Sequence, residues 1–339
     1  MSMTVIPDSY AGDNFNNKIK LLLRSSGIDS YFIPSILNRP IVNGCWSMAW
    51  QEQINDIPIE RWKRNNFRLV LHAQDFCHYW NNTSCVEMLA IEDLLTFEQQ
   101  QKTIVLHWDH ALGNTYTGRL NCVEFPSHSY ELVHSLKERY REWKDVHSKD
   151  IKYNYLCLNG WLREHRVKIY DILGNEPLGF TSHIVQNPAP MHPYSNYDFN
   201  NVNNFIRLMP LYQQSKTSIV SETIYADHPG IITEKTLLAI AAKHPFMCIG
   251  HLGIHKEIAQ RGFEIYDDVF DLSYDSLPIE ERLQQAFKLN WDKITNSNWD
   301  VDHTQEKAER NFDFLMSDYT KTIEQRAQRQ LVEIMKKSY

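Results

Sequence analysis

The stretch SIVSETIYADHPGIITEKTLLAIAAKHPFMCI, residues 218–249, decides the fold. Ser218 to Ser221 is short and apolar at its centre, as a buried strand is, and Phe246 to Ile249 is a second run of the same kind. Between them Thr233 supplies an N-cap oxygen, Glu234 opens a helix reaching about Lys243, and His244-Pro245 returns the chain to the sheet. Strand, loop, helix and strand in that order make a parallel βαβ unit. Such a unit leaves its loop and helix N-terminus outside the carboxyl ends of the strands, where α/β sheets bind ligands and free N–H groups attract anions.

The same rhythm extends in both directions. Tyr153 to Leu158 reads as a strand, His165 to Leu173 as a helix, and Gly253 to Gln260 as a further helix closed by Gly262. In the first half, Phe67 to Leu71 and Thr103 to Leu106 read as strands, separated by a helix from Val86 to Gln101. Tyr130 to Lys149 is charge-rich at helical spacing and ends where a new apolar strand begins, which places a domain boundary near 149. With 339 residues the chain exceeds one ordinary domain, and three parts are expected. These are an N-terminal Rossmann-like domain over 1–149, a doubly wound domain over 150–300, and C-terminal helices within 301–339 that could pack back on the first. Ser182 to Asn204, with three prolines and no periodicity, reads as either an active-site lid or a passive insertion.

Net charge −7 and a pI near 6.1 give no general attraction to phosphate backbones. Six cysteines without a CxxC pair read as buried thiols. Met1 to Pro7 lacks the basic flank and apolar core of a signal peptide, and no run of about eighteen apolar residues occurs. A soluble cytoplasmic protein without a membrane span is therefore expected, in the host cytoplasm if the chain is viral.

Lys235, in the first turn of its helix, opposes the helix dipole and makes sense as a neutraliser of a diphosphate, while Glu234 can accept from ribose or sugar hydroxyls. An isolated Thr-Glu-Lys would read as a solvated, capped first turn; the surrounding βαβ unit is what argues for more. Leu158-Asn159-Gly160-Trp161-Leu162-Arg163-Glu164-His165-Arg166 likewise joins a strand end to a helix start, and Arg163, His165 and Arg166 form an anion cradle there. Each also has a structural reading, as a carboxylate partner or a helix N-terminal residue.

Asn159 to Arg166, then Glu222, then Thr233-Glu234-Lys235 with its Ala-rich helix and His244-Pro245-Phe246, resembles the donor domain of family-10 glycosyltransferases, the fucosyltransferases and their short bacterial and phage relatives. The resemblance covers roughly residues 150 to 285. It implies an α/β fold of GT-B type, two Rossmann-like domains facing a cleft, and metal-independent transfer of a hexosyl or pentosyl group with inversion. It further implies that Arg166 and Lys235 bind the donor diphosphate and that Glu222 and Glu234 contact ribose and sugar; Arg163, from the anion cradle, and Thr233, from the helix start, are candidates for the same donor site. Where the family has an aromatic residue before the Thr-Glu-Lys run, this chain has Ile231, and Tyr225 is the aromatic residue available in the same loop. The co-substrate expected is a UDP- or GDP-linked sugar, with no other cofactor and no metal.

An inverting enzyme of this type takes its base from the opposite domain. His72-Ala73-Gln74-Asp75 and His107-Trp108-Asp109-His110 follow the two N-domain strands, which makes Asp75 and Asp109 the candidates, with Glu87 and Glu92 behind them. The spacing of His107, Asp109 and His110 is no established zinc pattern. Asp300-Val301-Asp302 resembles a manganese-binding DxD, but Asp302 with Gln305 reads as a helix cap. Trp46 and Trp50 read as core or as an acceptor platform. The acceptor expected is a surface glycan or lipopolysaccharide, or a hydroxymethylated DNA base in phage-type DNA modification. The rival readings are a nucleotide-binding sensor that has kept the donor fold and, behind it, a phosphotransferase.

Overall fold

The computed structural model describes residues 13–33, 53–72, 92–107, 118–145, 150–159, 163–174, 176–182, 201–228, 230–296 and 301–337. They form an α/β protein with two four-stranded parallel sheets, compatible with two Rossmann-like domains. The chain divides into two compact units, Met1–Glu131 with Lys321–Tyr339, and Leu132–Thr320.

In the first unit, α1 (Asp13–Ser25) leads to β1 (Asp29–Ile33), α2 (Ile59–Trp62) to β2 (Phe67–His72), and α3 (Phe97–Gln101) to β3 (Thr103–His107) and β4 (Asn121–Glu124). The sheet order is β1-β2-β3-β4, with Tyr31 beside Leu69 and Leu71 beside Val105. Leu69, Val70 and Leu71 of β2 and Ile104 and Val105 of β3 are all fully buried. Their unbroken apolar runs are what a parallel sheet covered on both faces selects. The helix expected from Val86 to Gln101 is shorter within the described residues. Thr96 is extended and makes a capping box with Gln99, so the helix starts afresh at Phe97.

Residues from Tyr130 onward, read as a charged helix ending the first domain, are two helices, α4 (Ser127–Glu138) and α5 (Tyr140–Trp143). Leu136 and Trp143 are buried, and Trp143 packs edge-on against Phe205 and Phe312 of the second unit. These apolar anchors explain why the division falls inside α4 and not near 149. The tail forms two helices, Val301–Ser317 and Tyr319–Lys337, and most of the last one belongs to the first unit. There Gln330 accepts from the Glu124 N–H at 2.9 Å and Glu324 from the Tyr130 hydroxyl at 2.5 Å.

The second unit runs β5 (Tyr155–Cys157), α6 (Glu164–Leu173), β6 (Gly179–Thr181), α7 (Asn201–Gln213), β7 (Ser218–Ser221), α8 (Glu234–Ala241), β8 (Phe246–Ile249), α9 (Ile254–Gln260) and α10 (Ile279–Asn296). Its tail helix Val301–Ser317 is α11, and Tyr319–Lys337 is α12. The strand order is β6-β5-β7-β8, so the chain reverses direction across the sheet between β5 and β7. Helix α8 is buried on all sides from Thr236 to Ala241, against β7, β8, α7 and α11, which is why it carries no polar stripe. Helix α7 begins inside the stretch read as a loop to Asn204. Its apolar periodicity, Val202, Phe205, Met209 and Tyr212, lies almost wholly beyond that limit. Residues 183–200, the rest of that stretch, lie outside the described residues. Gly262 follows α9 with φ +100°, as a terminating glycine does. Helix α11 begins at Val301, so Asp302 lies within it and not at its cap. Among the described residues no helix is long and apolar enough to cross a membrane.

Candidate functional site

The reversal between β5 and β7 draws apart the two loops that leave the carboxyl ends of those strands. Arg163 to Arg166 sits after β5, and Glu222 to Lys235 after β7, so the residues singled out in the sequence converge on one edge of one sheet. Their contacts sort them into two groups.

The first group faces inward. Glu222 is completely buried. Its carboxylate accepts from the Thr233 N–H (3.2 Å), the Thr223 N–H (3.2 Å), the Thr233 hydroxyl and the Thr236 hydroxyl (2.5 Å). It therefore ties the end of β7 to the start of α8, a task different from reaching a ribose. Arg166, 1 % exposed, donates to the Ser221 and Glu222 carbonyls at 3.3 and 3.2 Å and to the Ser221 hydroxyl at 3.3 Å. It welds α6 to the same strand end. His165 Nε2 lies 3.0 Å from the Glu222 carbonyl, an acceptor only, so that nitrogen carries the proton. Burial, then the nearby cations of Arg166, Arg163 and Lys235, push its pKa down to about 3, against the pull of that carbonyl. His165 is thus a neutral ring, stacked on Tyr225 with centroids 5.1 Å apart.

The second group is accessible, except for the buried Thr233. Thr233 caps α8, accepting from the Lys235 N–H at 3.5 Å. Lys235 and Glu234 keep about a fifth of their side chains exposed. The Lys235 ammonium donates to Thr223 Oγ1 at 3.0 Å and to Glu234 at 2.5 Å, and it has a third N–H. Arg163 takes the N-cap position of α6 with extended backbone (φ −141°, ψ 145°) and no side-chain cap bond. Beside them a cleft of about 670 Å3 is lined by Glu164, His165, Lys168, Tyr225, Ile279 and Leu283 among others. The Tyr225 hydroxyl donates to the Ile279 carbonyl (2.8 Å) and accepts from the Leu283 N–H (2.9 Å), which fixes the cleft floor to α10.

Sequence reasoning missed Arg282. It is 1 % exposed and binds the carbonyls of Ala226, Gly250 and Leu277 and the Asp227 carboxylate, with its guanidinium carbon 5.5 Å from the Tyr225 ring centroid. One arginine thereby gathers the loops after β7 and β8. Nothing local marks it, since all the partners named but Leu277 lie far away in the chain.

In the first unit, Asp75, Asp109 and Glu87 lie outside the described residues, as do His110, Trp46, Trp50 and Asp300. Glu92 is buried and accepts from the Arg119 N–H at 2.8 Å, a structural role. A carboxyl that sequence reasoning passed over is Glu131 on α4. Its Oε1 is buried without a hydrogen-bond partner, and burial pushes its pKa up to about 8. Its flanks Tyr130, Leu132 and Val133 were the available signal of desolvation. Cys157 and Cys248 are buried free thiols and Cys122 is partly exposed, while Cys45, Cys77 and Cys85 lie outside the described residues. No protein-family model matches the chain, and no curated protein matches its sequence.

Proposed function

We propose that this protein is a metal-independent glycosyltransferase of GT-B type, whose second unit binds a nucleoside-diphosphate sugar and transfers the sugar, with inversion, to an acceptor hydroxyl. The observation that carries the reading is the strand reversal between β5 and β7, with the N-termini of α6 and α8 and the Lys235 ammonium at its mouth. Helix N-termini and a lysine supply what a departing diphosphate needs: oriented N–H donors and a compact positive charge. The adjacent cleft, walled by the neutral His165 and Tyr225 rings, has the size and lining for a nucleoside.

Lys235 and Arg163 meet the diphosphate charge and Glu234 takes sugar or ribose hydroxyls, while Arg166 and Glu222 act from behind by fixing the two helix starts. The acceptor proton goes to a carboxylate, Asp75 or Asp109 by the sequence reading. The acceptor is a surface glycan or lipopolysaccharide, or a hydroxymethylated DNA base. The cytoplasm is the proposed compartment.

The test is a thermal-shift panel of UDP, GDP, CMP and their sugars on wild type and Lys235→Ala. Stabilisation by one nucleotide family, lost in the variant, is the expected result. No shift of the wild type at millimolar nucleotide would overturn the donor reading. With the donor base known, the salt dependence of duplex DNA binding separates the acceptors, because only a DNA-modifying enzyme loses affinity steeply as salt rises.

A further inference from the structure

Behind the candidate site lies a charged cluster that takes no part in the roles described above. His251 leaves β8 after Gly250 and is completely buried. Its Nδ1 lies 3.0 Å from the Leu252 carbonyl, and its Nε2 lies 3.3 Å from Glu257 Oε2 in an ion pair. Both neighbours can only accept, so the setting favours the imidazolium, with a proton on each nitrogen. Glu257 is held ionised in turn by Arg261, whose Nε and Nη2 donate to Oε1 at 3.0 and 2.7 Å.

The titration directions agree with the geometry. Burial pulls the His251 pKa down, but Glu257, the Leu252 carbonyl and the Glu222 carboxylate hold it above the ordinary histidine value. Burial pushes Glu257 up, and Arg261 and His251 more than offset it. The charged groups around the ring are thus Glu257 and Arg261 from α9 and Glu222 from the end of β7, with Arg282 bound to the preceding Gly250 carbonyl.

The ring also touches the donor loop. A Cβ placed on Gly230 would come within 2.9 Å of His251 Cδ2, so the loop backbone rests directly on the imidazole. The next residue, Leu252, donates its N–H to the Ala226 carbonyl at 2.9 Å. The loop from β7 to α8 is therefore braced at Ala226 and again at Gly230, the residue that begins the run to Thr233, Glu234 and Lys235.

We propose that His251 is a positioning residue: as a buried imidazolium between Leu252 and Glu257 it braces the loop that presents Glu234 and Lys235, so that the loop loosens and nucleotide binding weakens at alkaline pH. Losing a proton would turn a ring lone pair toward the Leu252 carbonyl or the Glu257 carboxylate and so weaken one of the two contacts that hold the ring against Gly230. Because the folded form holds the proton more tightly than the unfolded chain, this contribution is complete in mild acid. It is lost as pH rises through the folded-state value.

The proposal rests on the donor reading only for its ligand, so the test separates the two. On wild type, imidazole nitrogen NMR reports the His251 ring state at pH 7, and amide exchange at pH 6.5 and 9.5, expressed as protection factors, reports residues 230–236. The expected result is a doubly protonated ring and protection that falls toward alkaline pH, because the tighter hold on the proton in the folded form is linked to loop opening as the proton leaves. In His251→Gln the protection should be lower at pH 6.5 and independent of pH. A neutral ring at pH 7, or wild-type protection equal at both pH values, overturns the proposal, and neither result depends on the variant folding. GDP and UDP titrations follow. If the pH-dependent protection is found but neither nucleotide binds, the brace stands and the donor reading falls.

Discussion

The two sheets share strand number and direction and differ in order. In the first, β1 to β4 lie side by side in chain sequence, while in the second the chain places β6 on one side of β5 and then crosses to put β7 on the other. A monotonic order gives neighbouring loops no reason to part. A reversal sends the loops after β5 and β7 to opposite sides and opens a crevice between them. The second unit uses that crevice edge intensively: Glu222, Arg166 and Arg282 spend buried charge on holding loops, while Lys235 and Glu234 stay reachable. The lesson is that charge kept accessible at a switch point needs a second, hidden set of charges to hold it.

Breaking the hidden set should have the largest effect. Glu222→Ala strands the Thr233 N–H and the Thr236 hydroxyl in a dry site, and urea unfolding should record a loss of about 3–5 kcal/mol. A loss below about 1 kcal/mol would mean the carboxylate is not the tie described. Next in size, Lys235→Ala should weaken binding of the stabilising nucleotide by roughly 10- to 100-fold, the worth of one charge-assisted hydrogen bond, while Tm hardly moves. Calorimetric titration reads this, and an equal loss of stability in both variants would erase the distinction between hidden and accessible charge.

A pH arm sharpens the contrast further. Burial keeps His165 and His244 neutral, with pKa values near 3 and 4. His244 donates to the Tyr212 carbonyl (2.6 Å) and accepts from the Ser218 hydroxyl (2.9 Å), bonds that require the neutral ring. Because the unfolded chain takes up these protons first, stability is full above about pH 6.5 and falls as pH drops toward 4 and then 3. Between pH 6.5 and 5 the loss should be about 1–2 kcal/mol for each ring, and His244→Gln should remove one share of it in urea titrations at the two pH values. The smallest effect belongs to the first unit. Thr96→Ala removes a capping box and should lower its stability by about 1 kcal/mol, with nucleotide binding in the second unit unchanged.

Much of the fold was legible because parallel strands buried on both faces are written as short apolar runs. Ser218 to Ser221 and Phe246 to Ile249 were read with the boundaries they have. Helix α7 escaped because a Pro- and Asn-rich stretch masked its first turn, and β6 because three half-buried residues carry no periodicity. The gathering of Arg166, Glu222, Thr233 and Lys235 was legible too, since each follows a strand end or opens a helix.

Sequence by itself determined that the second half is a βαβ array with charged residues at its carboxyl edge, because strand and helix periodicity are local properties of the chain. Only the tertiary structure decided which of those charges look outward. Arg166 and Lys235 occupy equivalent places, both in the first turn of a helix after a strand, yet one is sealed against the Ser221 and Glu222 carbonyls and the other keeps a fifth of its side chain in solvent. That choice depends on strand order and on partners such as Arg282 and His251, which approach from distant parts of the chain. Burial is a sum over such neighbours, and no single stretch of sequence contains them.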